Sequence, residues 1–351
     1  MQKRSRPCMH DIIAKTTLTA ITAVCAFLPA KAQTAVDSID IAIDTPGATL
    51  AATLTMPAHA KPRAAAVLVS GSGAQDRDET IMGHKPFRAI ARHLAENGYA
   101  VLRYDDRGAG QSSPLRGTET TDTFAADAAA ALAALDSICG HGIPAGYIGH
   151  SEGATIAIRN AADPRCRFII TLGTPAMAGD SIILTQGRAM LRGMGAESQW
   201  NTLEPELRRR YDMLKSDLPS VLLKSSLYAD IVKSQPLVAE MPELRQKAMA
   251  EIDAMCSPWY RAMLRYNPEA DIRAVTIPWL AVGGTLDTQV IPENQDIISR
   301  LNPRATTVTL PGINHLMLSA KTGLPAEYPT LTGDIDPAVL DTITRFLNQL
   351  P

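Results

Sequence analysis

The chain has 351 residues, 46% of them apolar and 20% charged, which is enough for one large core or a core with a substantial insertion. Its formal net charge of −2 offers no electrostatic footing for nucleic acid or an anionic membrane surface, and five Phe with three Trp offer few platforms for stacking bases. A nucleic-acid-binding protein is thereby excluded, and a packed globular enzyme is the class to test.

The first feature in chain order is terminal. Lys3, Arg4, Arg6 and Lys15 form a basic stretch, Thr16–Ala30 is largely apolar but too short to span a bilayer comfortably, and Ala30-Lys31-Ala32 is an A-x-A cleavage pattern. The expectation is a signal peptide over residues 1–32, cut before Gln33, with export to the periplasm or the medium and no membrane span afterwards. Cys8 and Cys25 would leave with it. The odd number and wide spacing of Cys139, Cys166 and Cys256 then give neither a disulfide framework nor a metal site, so buried free thiols are expected.

Residues 33–62 read as an N-terminal hairpin, because Val36–Pro57 alternates in polarity and Thr45-Pro46-Gly47 interrupts it. Short runs rich in Val, Ile and Leu then alternate with stretches at helical spacing. The strands fall at Ala64–Ser70, Tyr99–Tyr104, Ala145–Gly149, Phe168–Leu172, Trp279–Val282 and Thr306–Leu310. The helices fall at Pro86–Glu96, Phe124–Ile138, Ala154–Ala162, Asn294–Leu301 and Pro337–Leu350. This alternation predicts an α/β fold with a mostly parallel, doubly wound sheet, its core in residues 63–177 and 274–351. Residues 178–273 lack a strand, and Pro205, Pro219, Pro236, Pro242 and Pro258 divide them into short helices, which predicts a helical cap over the sheet's carboxyl edge. Within it, Arg208-Arg209-Arg210 reads as a solvated helix face.

The residues with chemical potential sit at strand ends. Gly149-His150-Ser151-Glu152-Gly153 follows one predicted strand and opens a helix, the setting in which a serine is raised on a sharp turn as a nucleophile. Glycines two residues either side remove Cβ atoms that would clash there, and the helix N-terminus aims free N–H groups at a developing oxyanion. Serine needs a general base oriented by a third group, and the chain order for this fold is serine, acid, histidine. Of seven histidines only His315 lies beyond Ser151, in the loop after Thr306–Leu310. His150 belongs to the turn itself, where its ring is expected to pack. Asp287 ends the strand before, in a glycine-rich turn, and leads Asp271, Glu293 and Asp296 as the acid. The second oxyanion donor is expected from Ser70-Gly71-Ser72-Gly73-Ala74-Gln75-Asp76-Arg77-Asp78-Glu79. Ser72 N–H is the candidate there with Gly73 as the near alternative, paired with Glu152 N–H. Asp76, Arg77 and Asp78 are expected to brace that loop by ion pairs, with contact to substrate as the alternative, and Arg107 to hold neighbouring loops.

In order, S-G-S-G-A-Q-D-R-D-E, H-K-P-F, R-Y-D-D-R-G-A-G-Q-S, G-H-S-E-G, G-G-T-L-D and N-H-L resemble bacterial α/β-hydrolases of the EstD-like esterase group. More broadly they resemble serine aminopeptidase and monoglyceride-lipase-like hydrolases. The resemblance covers Ala64 to Leu350 and implies Ser151, Asp287 and His315 as a triad, with the helical cap between the sixth and seventh core strands. Ser70 stands where the family usually has a histidine before the loop glycine. The expectation is a secreted serine hydrolase acting on carboxylic esters of short or medium acyl chain through an acyl-enzyme, with an amide substrate or a non-catalytic binding protein as alternatives. Its partners are then a small-molecule ester or amide and water, and no cofactor or metal is implied.

Overall fold

A computed structural model of the protein describes residues 35–350. The expected signal peptide and its cleavage site lie outside the described residues. The described residues open with two antiparallel strands, β1 (Val36–Thr45) and β2 (Ala48–Pro57), joined by a tight turn in which Gly47 has φ of 76°. Strands and helices then alternate: β3 (Ala65–Val69), α1 (Pro86–Glu96), β4 (Ala100–Tyr104), α2 (Thr121–Cys139), β5 (Ala145–His150), α3 (Glu152–Arg159) and β6 (Cys166–Leu172).

Seven α-helices follow before the next strand, with one short 3-10 turn (Glu197–Gln199) among them: α4 (Gly179–Gly193), α5 (Trp200–Lys215), α6 (Ser220–Ser234), α7 (Leu237–Glu240), α8 (Pro242–Met255), α9 (Pro258–Arg265) and α10 (Glu269–Ala274). The chain ends with β7 (Trp279–Gly284), α11 (Glu293–Leu301), β8 (Thr306–Leu310) and α12 (Pro337–Leu347). The eight strands form one sheet in the order β1-β2-β4-β3-β5-β6-β7-β8, parallel throughout except at the β1–β2 and β2–β4 pairs.

Every residue of β3, β4 and β5 is buried, because helices cover both faces. Along β3 the side chains alternate: Ala65, Val67 and Val69 pack on the face covered by α2, α3 and α11, while Ala66 and Leu68 pack on the face covered by α1 and α12. Leu68, Leu102, Leu132 and Ile90 are almost wholly removed from water, each contributing roughly 1.5–3 kcal/mol in transfer terms. Helix α10 adds Ile272 to this core. The helices from α4 to α9 bury a separate apolar cluster built on Trp200, Leu214, Leu223, Leu227 and Ile252.

The topology fixes where loops converge. From β3 the chain moves outward to β4, then crosses back to lay β5 on the other side of β3. The loops after β3 and β5 therefore leave adjacent strand ends in different directions, which opens a crevice at the sheet's carboxyl edge. Parallel pairing sets Val69 beside Gly149, so residues just beyond Val69 lie alongside Ser151.

Candidate active site

Ser151 occupies the single residue between β5 and α3, with φ of 54° and ψ of −115°. A non-glycine residue in this region carries about 1–3 kcal/mol of strain, held here by its surroundings. Its N–H donates to Leu172 O at 2.9 Å, tying the turn to the end of β6. The flanking glycines permit the turn. A Cβ on Gly149 would strike the Gly153 backbone, and one on Gly153 would strike the carbonyls of Val69 and Ser70. The first turn of α3 thus points its free N–H groups at the space above Ser151.

Two further loops bring His315 and Asp287 together. His315 Nδ1 lies 2.8 Å from Asp287 Oδ2, and the two residues are 4% and 3% exposed. The other oxygen, Asp287 Oδ1, accepts from the N–H groups of Gln289 at 2.9 Å and Val290 at 2.8 Å, which fixes the carboxylate toward the ring. The loops are cross-tied: Leu286 N–H donates to Ile313 O at 2.9 Å and Gly312 N–H to Thr285 Oγ1 at 2.8 Å. The competing acids are elsewhere. Asp271 accepts from Tyr266 O–H at 2.7 Å, while Glu293 and Asp296 lie in the first turn of α11.

Ser151 and His315 line one cavity of about 640 Å³. Gly71, Ser72 and Glu152 border it from the sheet side, and Ile182, Ile183, Trp259, Tyr260 and Met263 roof it from the helical insertion. Of the two oxyanion candidates in the loop after β3, Ser72 borders this cavity, whereas Gly73 borders a small void beside Asp106. Gly71 N–H is engaged with Glu79 Oε1 at 2.7 Å.

Arg77 and Asp78 brace the loop through ion pairs as expected, whereas Asp76 braces it by accepting hydrogen bonds. Arg77 holds Asp105 through its Nη2 at 2.8 Å, Asp78 pairs with Arg103 and Lys85, and Asp76 accepts from the N–H groups of Asp78 and Thr80, both at 3.0 Å. Arg107 makes two 2.6 Å bonds to Asp127 on α2 and a 2.9 Å bond to Pro46 O in the hairpin turn. Cys139, Cys166 and Cys256 carry free thiols as expected, but only Cys166 is buried, where burial pushes its thiol up to about 12; Cys139 and Cys256 are half-buried.

Three features escape sequence reasoning. His150 is more than packing: its Nδ1 meets Glu79 Oε1 at 2.8 Å and its Nε2 meets His315 O at 2.8 Å. Burial opposes charge on this ring, yet the Glu79 carboxylate and the His315 carbonyl hold its pKa above the ordinary histidine value. Glu152 also presents a carboxylate to the cavity, where its Oε1 accepts from Thr121 Oγ1 at 2.7 Å and Trp259 Nε1 at 2.8 Å. Trp259 itself comes from α9, a helix whose sequence shows only an amphipathic pattern.

A parallel sheet led by two antiparallel strands, with a serine raised on the turn after β5, falls within the α/β-hydrolases. Comparison with known proteins narrows this further. Residues 60–321 match the family described as serine aminopeptidase, S33, and the chain belongs to that family. Esterase EstD of Thermotoga maritima is 25% identical over 299 residues, 84% of this chain and 64% of that enzyme, so the chain spans less than two thirds of that relative's length. Among solved structures, an esterase of Pyrococcus furiosus superposes with a TM-score of 0.55 at 15% identity, covering 90% of this chain and 91% of that one. Est1E from Butyrivibrio proteoclasticus, solved with ferulic acid bound, gives a TM-score of 0.55 at 16% identity over 88% of this chain and 98% of its own. These structural likenesses speak to the fold.

Proposed function

We propose that the protein is an exported serine hydrolase that cleaves carboxylic esters of short or medium acyl chain, with Ser151 as nucleophile. The observation that carries this reading is the Asp287–His315 bond of 2.8 Å at the wall of a cavity that Ser151 also lines. His315 Nδ1, bonded to the carboxylate, holds the proton, which leaves Nε2 free to accept the proton of Ser151. Ser151 Oγ attacks the ester carbonyl, and the oxyanion that forms rests on the Ser72 and Glu152 N–H groups. Protonated His315 then returns the proton to the departing alcohol. Water, deprotonated by the same ring, hydrolyses the acyl-enzyme.

The apolar roof of Ile182, Ile183 and Met263 suits a hydrocarbon acyl group. The esterase names of EstD and the structural relatives support an ester as substrate. An amide is the second reading, favoured by the Glu152 carboxylate in the cavity, which could receive a substrate amine, and by the family description. Butyrate p-nitrophenyl ester set against aminoacyl anilides separates the two. Substitution Ser151→Ala should lower ester hydrolysis by on the order of 10³-fold or more, and parent-like turnover by this variant would overturn the reading. Export rests on the basic stretch, apolar run and A-x-A pattern of residues 1–32. Mass spectrometry of the protein recovered from the producing cells should find an N-terminus at Gln33, and one at Met1 would refute export. Among the described residues no helix is long and apolar enough to cross a membrane.

A further inference from the structure

Three loops must keep register for the proposed chemistry: the one after β3, the turn after β5 and the one after β8. A single pair of buried side chains touches all three. Glu79 is 1% exposed and His150 is 4% exposed. Glu79 Oε1 accepts from Gly71 N–H at 2.7 Å, immediately before Ser72, and sits 2.8 Å from His150 Nδ1. His150 precedes Ser151, and its Nε2 lies 2.8 Å from the backbone oxygen of His315. The rings of His150 and His315 are 4.8 Å apart, centre to centre.

The proton count follows from the partners. A backbone carbonyl can only accept, so His150 Nε2 carries a hydrogen and donates it to His315 O. Glu79 Oε1 already accepts from Gly71 N–H at 2.7 Å, and a carboxylate oxygen accepts two donors strongly, whereas the hydroxyl oxygen of a protonated acid is a weak acceptor that does not suit so short a bond from Gly71. His150 Nδ1 therefore also carries a hydrogen. We propose that Glu79 and His150 form a buried carboxylate–imidazolium pair that positions the oxyanion loop and the His315 loop about Ser151. They are positioning residues for the serine chemistry, and the inference rests on that reading of Ser151 and His315.

The backbone of Glu79 is arranged for this reach. Its φ is 52°, and the turn is pinned by its own N–H on Asp76 O at 2.8 Å and by Thr80 Oγ1 on Asp76 Oδ2 at 2.7 Å. Gly71 has no side chain because a Cβ there would press on Glu79 Oε1 and the Ser151 Cβ, both at 3.3 Å. The pair is also neutral in sum, which matters to its neighbour. His315 must gain a positive charge in the transition state, and an unbalanced charge one ring away would shift that step. Besides Glu79, the charge that acts on His150 is Asp287, behind His315, while Glu79 and Glu152 both act on Asp106.

The test has two arms. In the first, the parent protein labelled with ¹⁵N-histidine is examined near pH 7, the His150 signals being assigned by their loss in His150→Gln. Both ring nitrogens should be protonated in the parent and only one in Glu79→Gln. A singly protonated His150 in the parent overturns the pair whatever the enzyme hydrolyses, so this arm stands apart from the esterase reading. The second arm is the pH dependence of kcat/KM on p-nitrophenyl butyrate. Glu79→Gln should lose tenfold or more in kcat with KM little changed, since removal of one oxyanion donor costs on the order of 10²–10³. His150→Gln leaves the Glu79 charge unbalanced beside His315 and should move the acid limb upward by about half a pH unit or more. The double variant should return the limb to its parent position. Folded single variants that keep parent kcat and an unmoved limb would overturn the proposal, and a role in packing alone would lower Tm without shifting that limb.

Discussion

Asp106 sits half-buried beneath the loop that carries Ser72. Its Oδ2 accepts from Ser70 Oγ at 2.6 Å and from Gln75 N–H at 3.1 Å. Burial is the main force that raises its carboxyl to about 7; the two hydrogen bonds oppose it and the charges of Glu79 and Glu152 add to it. The folded protein thus holds a proton that the unfolded chain, with an ordinary value of 3.8, releases earlier. The stabilisation is complete below the unfolded value and is lost as pH rises through about 7. Asparagine keeps the acceptor and has no such dependence. The Tm of Asp106→Asn relative to the parent should therefore climb between pH 5 and pH 8, and a constant difference would refute the assignment. A residue like this is invisible in sequence, where Asp106 is one acid in a turn rich in them. Ser151 and His315 were legible for the opposite reason: one sits in a local turn grammar, and the other is the sole histidine downstream of it. Glu79 belongs with Asp106, because its partner is 71 positions away and only the pairing of β3 with β5 brings the two together.

At the scale of elements, strands buried on both faces announce themselves as continuous apolar runs, and each predicted core strand is found within a residue or two. Helix ends were less legible. The first turn of α2 is polar, Thr121-Asp122-Thr123, and apolar spacing alone starts the helix at Phe124. A capping box between Thr120 and Thr123 starts it at Thr121. What joins the elements is long-range and polar. Arg107, in the turn after β4, makes its two 2.6 Å bonds to Asp127 on α2, and Asp127 also accepts from Thr45 Oγ1 at 2.7 Å at the end of β1. Both charged side chains are nearly sealed from water, at 4% and 2% exposure. Removing one leaves the other buried and uncompensated. Arg107→Ala should cost about 3–5 kcal/mol in urea unfolding, and Arg107→Ala with Asp127→Ala less than the sum of the singles. Additive losses would show that the pair does not act as a unit.

For the molecule as a whole, the division of labour follows from where the apolar clusters lie. The loops that bear Ser151, Asp287 and His315 spring from a sheet packed by two clusters, whereas the helices from α4 to α9 rest on a third of their own. Strand–helix alternation revealed the first part in sequence. The order in which β4 and β5 flank β3 was not legible, because it depends on crossovers that local pattern does not encode. Nor was the composition of the roof, since a helix face toward a cavity and one toward a core look alike in apolar spacing. Yet Tyr260 and Met263 pack against the third cluster and also line the cavity, so loosening that cluster reaches the substrate without touching the sheet. Leu227 on α6 is fully buried within it, and Leu227→Ala should cost about 2–5 kcal/mol locally. Because the proposed reacting groups are held by other clusters, labelling of Ser151 by a small fluorophosphonate should stay within about threefold of the parent. KM for p-nitrophenyl octanoate, whose acyl chain must rest against the roof, should rise by about threefold or more, and KM for the acetate should not. A proportional rise for both esters, or a collapse of labelling, would show that the roof and the sheet share one stability after all.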